Sequence, residues 1–266
     1  MFADIGGTQL YYETIGTGPT VLAMHGGLGL DHTYLRAHDA LADAYRIVYY
    51  DHRANGQSPR GTTATLDHAT WHADAAALLD HLGESRAIIY GHSYGSFLAL
   101  GFALRYPERV RALVLCSTAP TLDYMALVQA NLASRDPALA ARLGQAMMAP
   151  PATDAELADV YRTCLPLYFH GAARPEAFAA TRYRIEGYLA GAAALATYDV
   201  VPRLDELRAP TLVLQGADDF MTPVSQAQRI PAELIEFAAS GHYPFLEEPA
   251  KYVAVLRDWL QRIAKA

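Results

Sequence analysis

The sequence predicts an α/β protein: a mostly parallel eight-stranded sheet flanked by helices, with a helical cap inserted after strand 6. Three observations carry this. Short apolar runs such as Thr20-Val21-Leu22-Ala23-Met24, Ala87-Ile88-Ile89-Tyr90 and Thr211-Leu212-Val213-Leu214-Gln215 alternate with segments of helical spacing. That pattern implies parallel strands covered on both faces. The polar motifs follow the ends of those runs, where such a sheet keeps its ligand crevice. The alternation stops from about residue 120 to 200 and then resumes.

Taken in order, residues 2–15 form a hairpin, with Gly6-Gly7 turning into a strand over 10–15 and Gly16-Thr17-Gly18-Pro19 ending it. The apolar run 20–24 ends in His25-Gly26-Gly27-Leu28-Gly29. Residues 33–43 are helical, and a strand over 45–50 runs into Asp51-His52-Arg53-Ala54-Asn55-Gly56-Gln57-Ser58. Residues 65–82 have helical spacing, with Ala69, His72, Ala73, Ala76, Leu79 and Leu82 on the inner side. The strand 87–90 meets Gly91-His92-Ser93-Tyr94-Gly95, and a helix of small and apolar residues follows until Tyr106-Pro107. Val110 to Cys116 is another buried strand. The cap, 120–200, is rich in Ala, Tyr and Met, has breaks at Pro137, Pro150-Pro151, Pro166 and Pro175, and contains no convincing strand. A strand over 211–215, a helix from about Pro223, a strand over 233–237 and an amphipathic helix over 249–263 complete the core domain, which comprises 1–119 and 201–266.

Composition narrows the function. The chain has 266 residues, 52% hydrophobic and 18% charged, enough for a sizeable core. Its net charge of −7 and the lack of a Lys/Arg cluster argue against nucleic acid or an anionic membrane as partner. Cys116 and Cys164 are too few and too far apart for a disulfide framework. The start has no basic or apolar leader pattern, so a cytoplasmic location is expected.

The G-x-S-x-G run between a strand and a helix reads as a nucleophile elbow, a tight corner that holds Ser93 out above the sheet edge. A serine hydroxyl needs a base and a group to orient that base. His242, in Ser240-Gly241-His242-Tyr243-Pro244 after the last strand, is the preferred base. His25, His52 and His92 also sit at strand ends and are its rivals, although His92 is expected to point away from the crevice. Asp219 is the preferred orienting acid, Asp218 remains open, and Asp123 is a further alternative. The backbone N–H groups of Tyr94 and Gly27 are the candidate oxyanion donors. The glycines after His25 fit no nucleotide-binding fingerprint, and no metal site is expected.

These residues resemble the α/β-hydrolase family over nearly the whole chain, through the order Ser93…Asp219…His242, the elbow, the His25-Gly26-Gly27 loop and the insertion after the sixth strand. The His25–Gly29 loop, the Asp51–Ser58 segment and Gly91-His92-Ser93-Tyr94-Gly95-Ser96 are similar to the proline iminopeptidase-like branch. The chain departs from that branch at Leu28, where a Pro is usual, at Ala54, where a Gly is usual, and at His92-Ser93-Tyr94. The resemblance implies a serine hydrolase that cleaves a small, mostly apolar ester, lactone or amide through an acyl-enzyme, with no cofactor. It implies His25, Leu28, Tyr124, Tyr161, Tyr168, Glu186 and Tyr188 as candidate substrate contacts. Glu186 is either an acid for a substrate amine or a surface partner of Arg182, and the tyrosines either line a pocket or pack the cap. Alternatives on the same triad are a prolyl aminopeptidase, a C–C hydrolase and a cofactor-free peroxidase or lyase. A non-catalytic ligand receptor is the alternative of another class. The expected partner is a small-molecule substrate, and the chain is expected to be a monomer or homodimer.

Overall fold

The strands richest in apolar residues occupy the middle of the sheet. In the computed structural model, which describes residues 1–61 and 66–265, the strands are β1 (Phe2–Asp4), β2 (Gln9–Ile15), β3 (Thr20–Met24), β4 (Arg46–Tyr50), β5 (Ala87–His92), β6 (Val110–Cys116), β7 (Thr211–Gly216) and β8 (Glu233–Phe237). They form one sheet in the order β1-β2-β4-β3-β5-β6-β7-β8. Every residue of β3, β5 and β7 is buried, as is all of β6 except Arg111. The edge strands β1 and β8 are buried only in part. Burial on both faces is what a continuous apolar run in a parallel sheet requires. The pairs β3–β4, β3–β5, β5–β6, β6–β7 and β7–β8 are parallel, whereas β1–β2 and β2–β4 are antiparallel.

One helix packs along the central strands β3, β5 and β6, and a second packs against it and the edge strand β1. Helix α1 (His68–His81) starts at Asp67, whose side chain accepts from Thr70 N–H. Its buried residues include Trp71, Ala75, Leu78 and Leu79, while Ala73 is exposed. Of the six residues read as the inner side, His72, Ala76 and Leu79 are buried, Ala69 and Leu82 are half-buried and only Ala73 is exposed; Trp71, Ala75 and Leu78 widen the buried face. Residue 65, the expected start, lies outside the described residues. Helix α2 (Tyr94–Arg105) follows Ser93 directly and is apolar almost all round, as befits a helix enclosed between sheet and neighbours. Residues 33–43 were expected to be helical; the structure has a 3-10 helix over His32–Leu41, capped by Asp31. Within it, His38 Nδ1 takes the Leu35 carbonyl at 2.7 Å and so competes with an α-type turn there.

Between β6 and β7 lie α3 (Met125–Ala133), α4 (Pro137–Met148), α5 (Asp154–Cys164) and α6 (Ile185–Leu195). Asp136 caps α4 with Pro137 at its first position, and Thr153 caps α5 through Glu156 N–H. The two ends of this stretch meet in a single antiparallel bridge, Thr121 to Asp199. After β7 come α7 (Val224–Ala227), α8 (Pro244–Glu247) and α9 (Pro249–Lys265), the last burying Tyr252, Leu256, Trp259 and Leu260. No helix among the described residues is long and apolar enough to cross a membrane.

Candidate active site

The turn from β5 into α2 leaves no room for a side chain at Gly91 or Gly95. A Cβ on Gly91 would lie 2.3 Å from the Gly95 carbonyl oxygen, and one on Gly95 would lie 2.2 Å from that of Met24. Ser93 takes φ 53° and ψ −125°, a strained combination for a residue with a side chain. Its N–H donates to Cys116 O at 2.9 Å, which ties the corner to the end of β6.

His242 reaches this corner from the loop after β8. Its Nε2 lies 2.8 Å from Ser93 Oγ, and its Nδ1 lies 2.8 Å from Asp219 Oδ2. A carboxylate only accepts, so Nδ1 carries the proton and Nε2 is free to accept from the serine. Asp219 is held in the loop after β7. Its Oδ1 accepts from Met221 and Thr222 N–H, and its Oδ2 accepts from Thr222 Oγ1 at 2.6 Å and Gln215 Nε2 at 3.1 Å. Burial disfavours its charge, but His242 and the Thr222 donors outweigh that and keep its pKa below the ordinary carboxylate value. Asp218 turns outward instead, to Arg135 at 3.0 Å and His170 at 3.3 Å. Asp123 pairs with Arg229. Of the three acids weighed in the sequence, Asp219 is the one brought to His242.

The N–H groups of Gly27 and Tyr94 donate to no atom among the described residues, and both residues line the cavity above Ser93. The orientation of the Gly26–Gly27 peptide follows from His25. His25 Nε2 accepts from His52 N–H at 3.2 Å, so its proton is on Nδ1, which donates to Gly26 O at 3.0 Å. In a trans peptide the N–H opposes the C=O. Holding Gly26 O from behind therefore turns Gly27 N–H away from His25. Burial lowers the His25 pKa to about 4, consistent with a neutral ring.

The cavity holds about 380 Å³. Leu28, Tyr124, Tyr161, Tyr168 and Tyr188 line it, as the sequence suggested. His25 and Glu186 do not. His25 is fully buried against His52, behind the loop it orders. Glu186 is drawn to Arg60, which it shares with Asp154, and not to Arg182. No Asp, Glu, Lys or Arg is among the described residues of the cavity wall. His92 is buried, its ring nitrogens engaged by Tyr34 and the His242 carbonyl, and the residue still contributes to the cavity lining.

Several residues that build this site were not singled out in the sequence. Gln215 and Thr222 hold Asp219. Ser117 Oγ donates to His242 O at 2.9 Å. Glu247 accepts from the N–H groups of Gly241 at 2.7 Å and His170 at 2.8 Å, and so joins the His242 loop to the insertion. A Thr three residues after an Asp, and a Glu five after a His, were signals available in the sequence. Among the described residues, no group of three His, Cys, Asp or Glu side chains is arranged to hold a metal ion.

A proline iminopeptidase from Lactobacillus helveticus is 28% identical over 289 residues, covering 96% of this chain and 95% of that protein. A thermophilic esterase from Thermogutta terrifontis superposes with a TM-score of 0.77 at 26% identity, covering 96% of this chain and 94% of that one. The enol-lactonase from Burkholderia xenovorans LB400 gives a TM-score of 0.78 at 23% identity, covering 98% and 100%, and shows likeness of fold alone. The family model for the alpha/beta hydrolase fold matches residues 19–249, a span that runs from the start of β3 through Ser93, Asp219 and His242, and the chain belongs to that family.

Proposed function

We propose that this chain is a serine hydrolase acting on small, neutral, mostly apolar esters or lactones. Ser93 Oγ attacks the carbonyl carbon while His242 Nε2 takes its proton. Asp219 fixes the imidazole tautomer and stabilises the imidazolium. The Gly27 and Tyr94 N–H groups receive the developing oxyanion. His242 then protonates the leaving oxygen, and water cleaves the acyl-enzyme with His242 again as base. Residues 120–200 act as the cap over a core of 1–119 and 201–266. Leu28, Tyr124, Tyr161, Tyr168 and Tyr188 contact substrate.

The observation that carries this reading is the pairing of an assembled Ser93–His242–Asp219 chain with an uncharged wall. A prolyl aminopeptidase is the second reading, favoured by the name of the Lactobacillus relative. Its substrate carries a cationic amine, and burying an unpaired ammonium is expensive. With Glu186 engaged by Arg60, the described residues of the wall offer no carboxylate to receive it. An amide substrate without a free amine fits the same wall.

The test is a panel of p-nitrophenyl esters, lactones and prolyl-p-nitroanilide, run on wild type and Ser93→Ala. The neutral esters or lactones are expected to exceed the prolyl arylamide in kcat/KM by about 100-fold or more. Ser93→Ala is expected to lose at least about 1,000-fold. Preference for the prolyl arylamide would replace the reading with the aminopeptidase. Undiminished hydrolysis in Ser93→Ala would refute the mechanism.

A further inference from the structure

We propose that Tyr34 and His92 are positioning residues that couple the oxyanion loop to the general base through one continuous chain of hydrogen bonds; this rests on the serine hydrolase reading. Gly26 N–H donates to Tyr34 Oη at 2.6 Å. Tyr34 Oη lies 2.9 Å from His92 Nδ1, and His92 Nε2 lies 2.9 Å from the His242 carbonyl oxygen. The direction of the whole chain is forced. A carbonyl only accepts, so His92 carries its proton on Nε2. In a neutral ring Nδ1 then accepts, and Tyr34 must donate to it. Tyr34 Oη is left to accept from Gly26. Both residues are buried, Tyr34 2% and His92 1% exposed, so the chain is shielded from competing water.

The chain touches three of the four loops of the site, missing only that of Asp219, and none of the reacting atoms. Gly26 precedes the oxyanion donor Gly27. His92 precedes Ser93. The His242 carbonyl belongs to the residue that carries the base. A Cβ on Gly26 would lie 2.4 Å from His92 O and 2.8 Å from Ser93 Cβ, so this loop and the elbow are also in direct contact. A shift of Gly26 would turn the Gly27 N–H, and a shift of the His242 backbone would move Nε2 relative to Ser93. Tyr34 and His92 also line the cavity beside Ser93, but most of the wall, including Leu28, Tyr124 and Tyr188, lies outside this chain of hydrogen bonds. The aromatic packing around Tyr34 does not need the oxygen: its ring stacks on Phe178 at 5.3 Å and 12°, with Tyr243 edge-on at 6.1 Å. Tyr34→Phe therefore removes the link and keeps the ring contacts.

The experiment measures Tyr34→Phe, His92→Gln and the double variant against wild type. His92→Gln offers one amide N–H to the His242 carbonyl and gives up the Nδ1 acceptor. Three readouts are taken: kcat/KM and KM for the preferred ester, the inhibition constant of a matching trifluoromethyl ketone, and Tm. In that inhibition Ser93 Oγ bonds to the ketone carbon, the carbonyl π pair moves to oxygen, and the serine proton passes to His242. The adduct thus needs the same geometry as the transition state. Each single variant is expected to lose about 10- to 100-fold in kcat/KM, with KM within about twofold and the ketone weakened by the same factor. The double variant is expected to be no worse than the weaker single, because both break one chain. Variants that lower Tm but keep kcat/KM and ketone affinity within about twofold would overturn the proposal. Losses that multiply in the double variant would also overturn it. A wild-type chain that neither hydrolyses esters nor forms the ketone adduct would overturn the hydrolase reading, and this proposal with it.

Discussion

At the scale of single residues, two adjacent aspartates have opposite fates. Asp219 accepts from two backbone N–H groups, Thr222, Gln215 and His242, whereas Asp218 faces Arg135 and His170 at the surface. Asp219→Asn places an amide among those donors and removes the acceptor that fixes the His242 tautomer. It is expected to lower kcat by about 10,000-fold, and Asp218→Asn by less than about threefold, in steady-state assays of the preferred ester. Equal losses would reverse the assignment. The sequence put Ser93, His242 and an acid at strand ends because chain order and strand boundaries are written in apolar runs. It favours Asp219 over Asp218 from the framing Gly216 and Pro223 but leaves Asp218 open, since the two are adjacent and only the fold decides which one turns inward. Tyr34 and His92 are harder to read: their hydrogen bonds run to backbone atoms of Gly26 and His242, and no spacing rule records such contacts.

At the scale of elements, the elbow is a tight joint between strand and helix. Gly95 admits no Cβ because the Met24 and His25 carbonyl oxygens lie 2.2 and 2.5 Å from where it would stand. Backbone cannot yield as a side-chain tip can. Gly95→Ala is expected to destabilise the chain by about 3 kcal/mol or more, read as the shift in urea midpoint multiplied by m. A change under about 0.5 kcal/mol would mean that the elbow has slack. The insertion is joined to the site at both loops. His242 N–H donates to Tyr168 O at 2.7 Å, Tyr161 Oη donates to Leu28 O at 3.1 Å, and Arg184 N–H donates to Gly29 O at 2.7 Å. Glu247 adds the His170 contact, and burial raises its pKa against the pull of those backbone donors. Glu247→Gln keeps the shape of the side chain but weakens its hold on the Gly241 and His170 N–H groups. It is expected to lower kcat/KM by about tenfold, with most of the folding stability retained. Unchanged kcat/KM would place that joint outside catalysis. The apolar strands are readable directly, whereas the period alone does not distinguish the 3-10 geometry of His32–Leu41 from an α-helix or show that Trp71 joins the buried face of α1.

At the scale of the whole molecule, the fold places six histidines in surroundings that disfavour their charged form. Burial lowers His25, His38 and His68 to about 4 and His72 to about 3, and holds His52 and His92 well below the ordinary value. Their folded pKa values lie below the unfolded one, so the unfolded chain gains protons that the native state refuses. Stability is therefore fully present above about pH 6.5 and falls as the pH drops towards 4, by up to about 1.4 kcal/mol per pH unit for each histidine. Urea midpoints are expected to drop steeply between pH 6.5 and 5. A midpoint at pH 5 equal to that at pH 7.5 would contradict this. Asp219, with its depressed pKa, contributes stability that is lost only at more acid pH, as the pH falls through its folded pKa. The same compact core brings a serine at the end of β5, an acid after β7 and a histidine after β8 within hydrogen-bond reach. The most direct measurement of that convergence is labelling with a fluorophosphonate, followed by mass mapping of the adduct on wild type, Ser93→Ala and His242→Ala. One adduct, on Ser93 of the wild type, absent in Ser93→Ala and slowed by at least about 100-fold in His242→Ala, is the result expected. Labelling elsewhere, or at an unchanged rate without His242, would contradict the account.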